Sequence, residues 1–72
     1  MIKTITGNYN SSGQIKNALE DLIASGIPSE KLYADDELKQ LKVLAHSEIE
    51  AEIVEILNRH DPVGVDIYDT DT

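Results

Sequence analysis

The chain reads as one unit written twice. Ser11-Ser12-Gly13-Gln14 opens one amphipathic helix, and Ser47-Glu48-Ile49-Glu50 opens another. A short apolar run precedes each helix, and a Pro followed by a second apolar run comes after each. Helices and strands with one apolar face must bury that face against another layer. The repeat therefore restricts the chain to two strand–helix–strand units that share one core.

The first unit begins with Ile2 to Thr6, β-branched apart from Lys3, which favours a strand at 2–6. Gly7-Asn8-Tyr9-Asn10 breaks it. Ser11 suits an N-cap, and Gln14 completes a capping box. Ile15, Ala18, Leu19, Leu22 and Ile23 then line one face of a helix over 12–25. Gly26 stands where a left-handed residue ends a helix, and Pro28 prevents its resumption. A short strand is expected at 31–35. Asp35-Asp36-Glu37 reads as a charged turn, and Leu41, Val43 and Ala45 alternate with Gln40, Lys42 and Leu44 in a strand at 39–45. A helix through 36–41 is the competing reading.

In the second unit, Ser47 and Glu50 form the expected capping box of a helix over 48–60. Ile49, Ile53, Ile56 and Leu57 fill its apolar face, and Arg59 and His60 stand at its negative end. Pro62 ends it. Val63, Val65 and Ile67 alternate with Gly64, Asp66 and Tyr68 in a half-buried strand at 63–68, and a polar tail follows. The order is β-α-β-β-α-β. Two right-handed crossovers then give an α+β ferredoxin-like sandwich: a four-stranded antiparallel sheet, order 4-1-3-2, with both helices on one face.

Size and charge narrow the function classes. Seventy-two residues make one domain. Without cysteine there are no disulfides or thiolate metal sites. The core must come from aliphatic packing, against an ordering cost of roughly 1.5 kcal/mol per residue; a dimer that buries more apolar surface would add stability. Fourteen acids against six bases, a net charge of −8, repel phosphate backbones and anionic lipid. Neither nucleic acid nor a membrane is expected as a partner. No apolar run approaches the ~18 residues of a membrane span, and Met1 to Gly7 lacks the features of a signal peptide. A cytoplasmic location is the default.

With both helices on one face, the other sheet face is bare. If Leu32, Leu41, Val43, Val63, Val65 and Ile67 point to the helices, alternation sends Tyr33, Lys42, Leu44, Asp66 and Tyr68 outward. Thr4 and Thr6 join them if Ile5 points inward. This is the candidate interaction face. Two tyrosines on a bare sheet suggest an RNA-stacking platform, but Lys42 is the only base there. Association with a second copy or another protein is the expected use, through this face or the short second strand.

Catalytic and metal-binding patterns are weak. A helix separates His46 from His60 by roughly 20 Å, so they cannot share one ion within a protomer. The turn at 35–37 lacks the spacing and glycine of a calcium loop. The acids of the second helix read as a solvated face, and Asp66, Asp69 and Asp71 offer at most a weak divalent-ion site. Ser11, Ser12 and Ser47 are accounted for as helix starts, which leaves no nucleophile with a base beside it. Phosphate-loop spacings are absent. Gly7 is the one candidate ligand-approach point, because a glycine before a helix start lets an anion come near. No catalytic residues, cofactor or metal are expected.

Ile5-Thr6-Gly7-Asn8-Tyr9-Asn10-Ser11, followed by Ala18-Leu19-Glu20-Asp21-Leu22 and Gly26-Ile27-Pro28, resembles the opening of the general stress protein (heat-induced stress protein) domain of bacteria. There a strand ends in Gly-x-aromatic, a polar cap follows, and an Ala/Leu helix ends in Gly. Tyr9 stands at the aromatic position. The resemblance covers about residues 2–35 and implies a stress-linked role without catalytic residues. Small-ligand regulatory modules of the ACT type share the ferredoxin-like layout. A small-molecule-binding regulatory domain, its ligand at a dimer interface or near Gly7, is therefore the alternative function, and a small enzyme with a pocket lined by His46 or His60 and an acid is the third.

Overall fold

A computed structural model of the protein describes residues 2–69. Six main elements follow one another: β1 (Ile2–Asn8), α1 (Ser12–Ala24), β2 (Leu32–Asp35), β3 (Gln40–His46), α2 (Glu50–Asn58) and β4 (Gly64–Asp69). Every pairing is antiparallel, and the sheet order is β2-β3-β1-β4. This is the expected 4-1-3-2 order read from the other edge. The hairpin reading holds over the helical one. Residues 36–39 form a turn in which Asp35 Oδ1 accepts from the amides of Glu37 and Leu38, both at 3.0 Å.

Alternation builds the core. Ile5 on β1 and Leu41, Val43 and Ala45 on β3 turn to one side and meet Ile15, Ala18 and Leu22 of α1 and Ile53, Ile56 and Leu57 of α2. All ten are nearly fully buried. Leu19, Ile27, Leu32, Ile49, Val54 and Val65 pack around them. Both helices therefore share one face of the sheet.

The two helices begin differently. At α1, Ser11 Oγ accepts from the Gln14 amide at 3.2 Å, while Gln14 Oε1 reaches back to the Asn10 amide at 3.1 Å. The expected box at Ser47 does not form. Residues Ser47–Ile49 make a 3-10 turn, and α2 starts behind Ile49 with no side-chain cap. Ile49 packs on the core with φ −110° and ψ 10°. That backbone delays the regular helix, so it runs over Glu50–Asn58 rather than 48–60. A second 3-10 turn, Ser29–Lys31, takes the place of the start of the expected strand at 31–35.

The last strand is less buried than its alternation suggests. Val63 lies outside β4 and is 67% exposed, and Ile67 shares the parity of Ile5 yet is 41% exposed. β4 is an edge strand, and the helix layer covers it incompletely.

The end of α1 is a Schellman motif. The Ile27 amide donates to the Leu22 carbonyl at 3.1 Å and the Gly26 amide to Ile23 at 3.0 Å, with Gly26 at φ +98°. A Cβ at Gly26 would meet nothing within 4 Å, so only backbone strain opposes a side chain there. Gly26→Ala is expected to lower stability by about 1–2 kcal/mol, read as a lower urea midpoint with an unchanged m-value.

Candidate functional site

The strand register sorts the sheet residues into rows. On the side away from the helices, Tyr33, Lys42, Thr6 and Asp66 form one row, and Leu44, Thr4 and Tyr68 form the next. All seven residues of the expected face stand together on the uncovered side. Their exposure differs. Tyr33 is 52% and Tyr68 59% exposed, and Lys42 and Asp66 are also exposed. Thr4 and Leu44 are half-buried, and Thr6, flanked by Lys42 and Asp66, is buried. Thr6 is thus part of the floor rather than a contact residue.

A polar ladder crosses the same side one row further on. Gln40 Nε2 donates to Asn8 Oδ1 at 3.0 Å, and Asn8 Nδ2 donates to Asp66 Oδ2 at 3.1 Å. This leaves the Asp66 carboxylate oriented and still exposed. The Lys42 side chain makes no hydrogen bond or ion pair among the described residues. The backbones of β3 and β4 are two strand spacings apart, roughly 10 Å, so the two charges flank Thr6 without meeting.

Gly7 is closed to a ligand. It is buried, and a Cβ there would lie 2.8 Å from the Tyr9 ring. The alternation that puts Gly7 on the helix side leaves space above it, and the ring two residues later fills that space. Tyr9 is 4% exposed, and its hydroxyl donates to the Leu57 carbonyl at 2.7 Å. Burial pushes its pKa up to about 12. In the sequence, the signal for this role is the Gly-x-aromatic spacing of Gly7 and Tyr9.

The histidines serve separate places. His46 is exposed at the end of β3. His60 lies 3.0 Å from Asp21 Oδ2 on α1, which Arg59 also approaches at 3.5 Å. The hydrogen bond from His60, reinforced by the Arg59 charge, holds the Asp21 carboxyl below the usual range against a smaller opposing effect of desolvation. This cross-helix cluster escapes sequence reasoning because Asp21 and His60 lie 39 positions apart. Gln14 Nε2 adds a second tie, at 3.2 Å to the carbonyls of both His60 and Asp61.

A shallow cleft of about 290 Å³ lies between α1 and the end of β2, lined by Ser12, Ile15, Lys16, Leu19, Ala34 and Asp36. Among the described residues, no group of three or more His, Asp or Glu is arranged to hold a metal ion. Asp71 of the proposed weak ion site lies outside the described residues. No described helix is long and apolar enough to cross a membrane. The chain matches no protein-family model, no curated protein and no solved structure.

Two outcomes follow from the Gly7–Tyr9 contact. Gly7→Ala is expected to cost about 1–3 kcal/mol by overpacking, and less in a Tyr9→Leu background, where the ring is gone. A double-mutant cycle by urea unfolding measures the difference. The raised Tyr9 pKa means the folded state holds its proton where the unfolded chain, near pKa 10, releases it. The stability it contributes is whole below pH 10 and is lost between pH 10 and about 12. Thermal melts of the wild type and Tyr9→Phe across that window should converge as pH rises.

Proposed function

We propose that the protein is a non-catalytic interaction module of ferredoxin-like layout that associates with a second copy of itself through the open face of its sheet. The observation that carries this reading is the exposure of Tyr33 and Tyr68 on a sheet side that no helix covers. Exposed aromatic side chains on a flat surface suit a protein contact. The charge distribution supports it as well. Among the described acids, only Asp35 and Asp66 belong to strand positions on this side, where Lys42 offsets one of them. Two copies can approach there without bringing their acidic helix faces together.

The engaged polar groups favour a binding role over catalysis. Ser11 is occupied as a cap, His60 with Asp21, and the Tyr9 hydroxyl with Leu57. The resemblance of residues 2–35 to the general stress protein domain supports a stress-linked setting. A small-molecule-binding regulatory domain of the ACT-like type is the second reading. It rests on the cleft between α1 and β2, whose volume is near the lower bound for ligand pockets.

Sedimentation equilibrium tests the self-association. A species of twice the 8.0 kDa protomer is expected at high micromolar concentration, dissociating on dilution. A strictly monomeric protein throughout that range overturns the reading.

A further inference from the structure

The open face is charge-complementary to itself about an axis along β1, and the row register shows how. Lys42, Thr6 and Asp66 stand side by side on β3, β1 and β4, with Leu44, Thr4 and Tyr68 in the adjacent row. Consider two such sheets face to face. A two-fold axis running along β1 exchanges β3 with β4 and keeps each row opposite itself. Lys42 of one copy then stands over Asp66 of the other, and Asp66 over Lys42. In the next row Leu44 stands over Tyr68, and Tyr68 over Leu44. Each charge meets its opposite and each apolar group meets another, twice.

Three neighbouring placements fail on charge. An axis along the Thr6 row sets Lys42 over Lys42 and Asp66 over Asp66. An axis between the two rows sets each charge on an apolar side chain. One shifted to lie between β1 and β3 faces Lys42 with Thr6 and Asp66 with Tyr33. Burying an unpaired charge is unfavourable in all three.

We infer that the protein forms a two-fold dimer about an axis along β1, held by reciprocal Lys42–Asp66 ion pairs and reciprocal Leu44–Tyr68 contacts. This rests on self-association through the open face, as proposed above. Two features of the single chain prepare it. The Lys42 side chain has no partner among the described residues. The Asn8 amide holds the Asp66 carboxylate in place through one oxygen, with Gln40 fixing Asn8 in turn, so little side-chain order is lost on binding. Tyr33, on β2, overhangs the β4 edge of the other copy and contributes little. Strand spacings give a contact on the order of 500 Å² per copy, at the small end of specific interfaces and fitting a weak, reversible dimer.

Two charge variants test the pairing. Lys42→Glu and Asp66→Lys are each measured alone and then mixed, by sedimentation equilibrium at low ionic strength, with far-UV circular dichroism to check folding. Each variant alone sets like charges against each other at both sites, and its self-association is expected to weaken at least tenfold. The equimolar mixture restores opposite charges at both sites and is expected to form a 1:1 complex with near wild-type affinity. If the wild type dimerises and each variant does so equally well, this pairing is wrong while self-association itself stands. A wild type that stays monomeric removes both. Should either charge variant fail to fold, Tyr68→Ala and Tyr33→Ala decide the matter. Tyr68→Ala should weaken the dimer at least tenfold and Tyr33→Ala less than threefold, and the reverse ranking would sink the proposed axis.

Discussion

The Tyr9 ring is the contact on which the two layers depend. It lies over Gly7 at the end of the central strand and donates its hydroxyl to the carbonyl of Leu57 near the end of α2. One side chain thus fixes the height of the second helix above the sheet and fills what a side chain at position 7 would otherwise occupy. The Gln14 side chain draws the start of α1 to the carbonyls of His60 and Asp61, just beyond α2. His60 in turn reaches Asp21, further along α1. The helices are therefore clamped to each other at the end where β1 finishes. With so few aromatic residues, three tyrosines and no Phe or Trp, the chain places one of them where it joins sheet, loop and helix.

Much of this architecture is legible in the residues. The alternation of Leu41, Val43 and Ala45 with Lys42 and Leu44 sets the inner side of β3, and the register carries that parity to every other strand. The outward set follows from period-two geometry on β2, β3 and β4, and on β1 once Ile5 is turned inward. Gly26 and Pro28 mark the end of α1 for reasons of backbone conformation, and that end is where they place it. These are local or periodic signals, and local signals survive folding when the packing agrees with them.

The departures have non-local causes. Ser47 looks like a cap, yet Ile49 takes its place in the core and the backbone around it bends into a 3-10 turn first. Val63 and Ile67 carry an inward pattern, but the helix layer stops short of the edge strand. Thr6 belongs to the open face by parity, and its burial depends on flanking strands that pair with it from distant parts of the chain. Gly7 looks free for a ligand because the sequence shows the missing side chain but not what fills its space.

The central position of β1 has a consequence for when the open face comes into being. β1 is flanked by β3 on one side and β4 on the other, so the row through Lys42, Thr6 and Asp66 draws on strands from early, middle and late in the described chain. Of the face residues, a partly folded chain with its β2–β3 hairpin formed presents Tyr33, Lys42 and Leu44 alone. Only the docking of β4 brings Asp66 and Tyr68 to the surface they share. The face is thus a marker of completed folding: a chain halted one strand short has the hairpin half of the surface and lacks its complement.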